Sequence, residues 1–278
     1  MALRGFQVRS ISLPSRLHTL KSTKIECQLQ KLKSWHNPSS LSPTAPVTSE
    51  TVQSGLLSLA GLCNSLSEID TTKQSLEDSL ENSIELIDSC NAIKETILMI
   101  RDNVQSLQSA LRRKGCLDAD IQHHISSYLC FRKKMHKSVQ KSVKKLKNLK
   151  HSNADGNFWK FLTGYAVALF SSVLELLSRP VTKQGSWSLV SRLMLAKSSA
   201  SARENSAGNE MGRVDFAVRS LQGRIRDKSV TGFDVQLVQK GLKNLDDAME
   251  GIEIGLERSF RSLVEIRVKL LNILTDRL

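Results

Sequence analysis

The residues with the most distinct chemical character in this chain are lysines. From Ile121 through Ala154 there is no acid, while Arg132, Lys133, Lys134, Lys137, Lys141, Lys144 and Lys145 accumulate, followed by Lys147 and Lys150. Met135, Val139, Val143, Leu146 and Leu149 recur between them at helical spacing, which makes the segment a basic amphipathic helix. Such a face can hold an acidic protein surface or lie on anionic lipid, where each charge is worth about 1 kcal/mol. It also fits a calmodulin-type target or nucleic-acid phosphates. The plainest reading is the solvated face of a bundle helix. Only Tyr128 and Phe131 could stack on bases, which argues against nucleic acid.

A second signal lies near the N-terminus. Arg9, Ser12 and Pro14 fit the pattern Arg-Ser-x-Ser-x-Pro, which a 14-3-3 protein would recognise once Ser12 is phosphorylated. A basophilic kinase would read Arg9 three residues upstream, and the added phosphate would place about two negative charges opposite an arginine cluster.

No catalytic constellation is present. His123 and His124 are adjacent and so point to different helix faces, without the i, i+4 spacing of a helical metal pair. There is no phosphate-cradling glycine loop, Gly-x-Ser-x-Gly elbow or His-Glu-x-x-His. Five cysteines (Cys27, Cys63, Cys90, Cys116, Cys130) are widely spaced without a Cys-x-x-Cys pair, and Cys63 and Cys90 read as small buried hydrophobes. Asp246, Asp247, Glu250, Glu253, Glu257 and Glu265 alternate with Lys and Arg as a solvated face would. These observations point to a protein that is not an enzyme and needs no cofactor or metal.

The elements that must carry these residues are long helices. Val238, Leu242, Leu245, Met249, Ile252, Leu256, Ser259, Leu263, Ile266, Leu270 and Ile273 step by threes and fours through a helix predicted over 234–275. Flanking Val235, Ile254, Phe260, Val264, Val268, Leu271 and Leu274 widen its stripe enough for several neighbours. Gly251 and Gly255 share a face there, despite costing about 1 kcal/mol each against alanine, and so invite a close helix crossing. Similar stripes predict helices over 49–69, 73–114 and 118–150. Val214, Ala217, Val218, Leu221 and Ile225 suggest a short one, and a weaker one falls over 186–197.

Residues 158–177 are the most hydrophobic segment. The uncharged part, Phe161 to Leu174, is shorter than the roughly twenty residues a spanning helix needs, which favours a buried core helix over a membrane segment. Of five prolines, four (Pro14, Pro38, Pro43, Pro46) precede residue 49, in a serine-rich stretch whose first 25 residues hold no acid. That stretch suits a disordered basic tail or an organelle transit peptide, with a short helix over 24–35. No apolar run follows the N-terminal arginines, so a secretory signal is not seen and a reducing compartment is the default. The net charge of +13 asks for an acidic partner.

The stretches RSISLPSRLH (9–18), SLEDSLENSIELIDSC (75–90), LQSALRRKG (107–115), YLCFRKK (128–134) and GIEIGLERSFRSLVEIRVKLLNIL (251–274) resemble the plant BYPASS-like family, a plant domain of unknown function. Two departures stand out: Thr19 follows His18 where a proline is common, and 69–74 lacks the usual proline. The resemblance implies a non-enzymatic protein with a role in root and shoot development, and it brings no catalytic residues. Some relatives are labelled chloroplastic and others placed at membranes.

The sequence therefore predicts an all-α fold: a disordered basic tail and linker over 1–48, then a long antiparallel helical bundle over 49–278 with a mobile loop over 198–212. The expected partner is a protein, with a 14-3-3 protein at Ser12 as one candidate. The expected location is cytoplasmic, with membrane association through the basic helix or 158–177 as the alternative and the chloroplast left open.

Overall fold

A computed structural model describes residues 47–64, 73–113, 119–149, 157–178 and 210–276. They form six helices and no strand: α1 (Ser49–Asn64), α2 (Lys73–Arg113), α3 (Ala119–Leu149), α4 (Asn157–Ser178), α5 (Glu210–Arg226) and α6 (Gly232–Asp276). The expectations for 1–46, including Arg9, Ser12, Pro14 and a helix over 24–35, lie outside the described residues, as does the helix over 186–197. All six helices belong to one compact unit, 42–278. Glu210 opens α5, so residues 210–212 are helix rather than the end of the predicted loop.

The starts of α1 and α6 are written in the sequence. Thr48 and Thr51 exchange backbone-to-hydroxyl bonds at 3.0 and 3.3 Å, a reciprocal cap on α1. Thr231 and Asp234 do the same for α6: the Thr231 N–H and hydroxyl donate to Asp234 Oδ2 at 3.0 and 2.7 Å. Arg224, in the last turn of α5, also bonds the Asp234 carboxylate. Burial pushes this carboxyl up, but the Arg224 and Thr231 hydrogen bonds outweigh that and hold it below its ordinary value. A group with a lowered folded pKa stabilises above its unfolded pKa and loses that contribution as pH falls through the folded one. Asp234→Asn is therefore expected to cost about 1 kcal/mol at neutral pH. In urea titrations the gap from the parent should close below about pH 4.

The helix α6 is the axis of the bundle. Its predicted stripe is buried from Val238 to Leu270, and Leu242, Leu245, Ile252, Leu256, Leu263 and Ile266 are wholly enclosed. It runs antiparallel to α2, as shown by Gln239 reaching the Leu111 carbonyl at one end and Arg267 reaching the Leu80 carbonyl at the other. It runs alongside α1 in the same direction, with Gln53 bonding the Ala248 carbonyl and Ser259 the Leu56 carbonyl at 3.0 Å. The stripe is narrower than its flanks suggested. Ile254, Val264, Val268 and Leu271 stay exposed, because α1 and α2 grip α6 from two sides and leave its outer face to solvent.

Both glycines singled out in α6 face α1. A methyl at Gly255 would meet Leu56 Cβ and Cδ1 at 3.0 Å, and one at Gly251 would meet the carboxamide of Gln53. With Ser259 they form a small-residue row against α1. The close crossing therefore rests on Gly255, since the Gln53 carboxamide can swing aside. A matching approach occurs at Gly55, where Tyr165 donates to the Gly55 carbonyl at 2.8 Å and Leu169 packs over the Cα.

The helix α4 is a core element. By length and composition alone, 161–178 could cross a membrane, yet 67% of that window is buried among the other helices. Phe170, Val173, Leu174 and Leu177 are enclosed.

Candidate interaction face

The residues of the basic helix separate into two groups. Arg132 is not on the basic face: it is 6% exposed and turns inward, its Nε donating to both oxygens of Asp215 at 2.9 and 3.0 Å. Its Nη1 donates to the Leu177 carbonyl at 2.8 Å, and the Tyr128 hydroxyl donates to Asp215 at 2.9 Å. His136 Nδ1 donates to the Ser178 carbonyl at 2.9 Å one turn further on. One ion pair thereby fastens α3, α4 and α5 together. Asp215 itself is 2% exposed. Burial, followed by the negative charge of Asp215, pushes the Tyr128 phenol well above its ordinary pKa, so it remains a donor.

Spacing explains why Arg132 is inside. The apolar stripe Ile121, Ile125, Tyr128, Met135, Val139 skips one turn, and Arg132 occupies the skipped position. Asp215 sits on the buried face of α5 between Met211 and Val218. Both signals were legible in sequence: an arginine filling a gap in one stripe and a lone acid within another.

Lys133, Lys134, Lys137, Lys141 and Lys144 are exposed along α3, and none makes an ion pair among the described residues. Lys145 belongs to the row but is tied to Glu85 of α2 at 3.0 Å, a contact that raises the lysine pKa. The structure thus brings together six of the seven residues predicted for the basic face and assigns Arg132 to the fold.

The sequence reading missed what lies beside this row. Glu81, Asp88, Glu95 and Asp102 repeat every seven residues along α2, and all are exposed. The Lys145–Glu85 contact marks the register of the antiparallel α2–α3 pair, so Lys133 to Lys147 run level with residues 83–97. An acidic row and a lysine row therefore lie on neighbouring helices at the same height. The seven-residue spacing on α2 was the available signal.

Other titratable groups serve the fold. Arg101 reaches from α2 to Asp246 at 2.9 Å, Glu253 at 2.7 Å and Glu250 at 3.4 Å on α6, and Lys94 bonds Glu257. These carboxylates are interhelical ties rather than the plain solvated face expected of them. Asp247 and Glu265 are exposed as that reading requires. Cys63 and Cys90 are buried, and burial pushes both thiols up to about 12. Among the described residues no three His, Cys, Asp or Glu converge as a metal site.

Searches of curated proteins and of solved structures each found no match. The family model described as Protein BPS1 matches residues 50–273, from the first turn of α1 to near the end of α6. The chain belongs to the Protein BPS1 family.

Proposed function

We propose that this protein is a non-enzymatic interaction module of root and shoot development, binding a protein partner through the lysine row of α3. The observation that carries this reading is the division within the basic helix. Its arginine is spent on a buried ion pair, while five exposed lysines have no partner among the described residues. Asp215 and Tyr128 are buried and bonded within their own chain, which supports a role in the fold rather than in chemistry. A phosphorylated Ser12 bound by a 14-3-3 protein would add a second, switchable contact.

Docking on an anionic membrane is the competing reading, and the acidic row on α2 weighs against it. A flat bilayer pressed on α3 also approaches Glu81, Asp88 and Glu95, which it repels. A protein partner, unlike a bilayer, can place charge of the right sign opposite each row.

The test is replacement of the protein in a plant by Lys137→Gln, Lys141→Gln, Lys144→Gln. The expected result is a chain that accumulates normally but fails to support root and shoot growth. Full rescue by the triple variant would refute the reading.

A further inference from the structure

We infer that the outward face of the α2–α3 pair is a self-association surface whose occupant is a second copy of this chain. The inference takes up the proposed reading of the lysine row as an interface and names what fills it. It stands on the pattern of both rows.

Along α2 the exposed positions Glu81, Ile84, Asp88, Glu95, Met99 and Asp102 follow steps of three, four or seven. Ile84 is 42% and Met99 48% exposed, so two large apolar side chains stand among the acids of this row. This is a second seam on a helix whose core seam already faces α6, and threes and fours are the spacing at which a helix receives another rod. Along α3, Lys134, Lys137, Lys141 and Lys144 repeat the same steps. Their aliphatic stems can cover Ile84 and Met99 while the ammonium groups reach the carboxylates.

Geometry then selects the partner. The two rows are level with one another on antiparallel neighbours. A two-fold axis parallel to the helices keeps each row at its height and exchanges α2 for α3. Each acidic row thus faces the partner copy's lysine row, twice over, in the self-complementary manner of a two-fold interface. An unrelated acidic helix would satisfy the lysines and leave the acids and the exposed Met99 uncovered.

The test is sedimentation of the full-length chain with two sets of charge reversals. One set is Lys137→Glu, Lys141→Glu, Lys144→Glu; the other is Glu81→Lys, Asp88→Lys, Glu95→Lys. The parent is expected to sediment as a dimer at low salt, with affinity falling about tenfold or more at high salt. Each reversed chain alone should be monomeric. Their equimolar mixture should restore a one-to-one complex, because both contacts again join opposite charges. Should a reversed chain unfold, the glutamine versions of the same positions take its place and should show the same loss of dimer.

A parent that is monomeric at every salt concentration overturns the inference. Reversed chains that dimerise alone, or a mixture that does not associate, also overturn it. Binding of a monomeric parent to phosphatidylserine vesicles would overturn it in favour of a lipid surface. A monomeric chain that still requires its lysines in the plant would refute the second copy and leave the proposed function standing.

Discussion

Asp215→Ala is expected to lower the unfolding free energy by about 3–5 kcal/mol, the range for removing one partner of a buried ion pair. The loss arises because Arg132 cannot leave. It lies between α3, α4 and α5 with its Nη1 fixed on the Leu177 carbonyl, so its charge would remain buried without a counterion. Tyr128 would lose its acceptor at the same time. The paired substitution Arg132→Met with Asp215→Leu should recover most of the loss, since a well-packed apolar pair is often as stable as the ion pair it replaces. Urea denaturation of the three chains decides the matter. Equal losses in the single and double variants would mean that packing, rather than an uncompensated charge, sets the cost.

Gly255→Val should be the next most damaging change, at about 2–3 kcal/mol. A Cβ at this position already meets Leu56 Cβ at 3.0 Å, an atom fixed to the α1 backbone that cannot rotate away. A branched side chain must therefore push α1 from α6, and overpacking of this kind costs about 1–3 kcal/mol. Separation would also stretch the Ser259 bond to the Leu56 carbonyl. Gly251→Ala is the control. It displaces only the Gln53 carboxamide, so the gain in helix propensity of about 1 kcal/mol should leave the melting temperature level or slightly raised. A Gly255→Val chain that melts with the parent would show that α1 does not need its close approach to α6.

Sequence periodicity reveals the helices well because each core side chain obeys one rule. The stripe from Val238 to Leu270 is enclosed as its spacing requires. Periodicity does not say how many neighbours a helix has, and for that reason Ile254 and Val268 were expected inside and lie outside. Polar residues follow a different logic. Charge alone groups Arg132 with the lysines, although its place in the stripe puts it in the core with Asp215. The acidic row of α2 gains meaning only beside α3, and the register of that pair, marked by Lys145 and Glu85, is a tertiary fact.

The central claim is that the inward arginine builds the bundle while the outward lysines are free to bind. Unfolding free energies of Asp215→Ala and of the Lys137→Gln, Lys141→Gln, Lys144→Gln chain, measured side by side at high salt, test it most directly. The account predicts a loss of about 3–5 kcal/mol for the first and less than about 1 kcal/mol for the second. A lysine variant destabilised as much as the aspartate variant would contradict it.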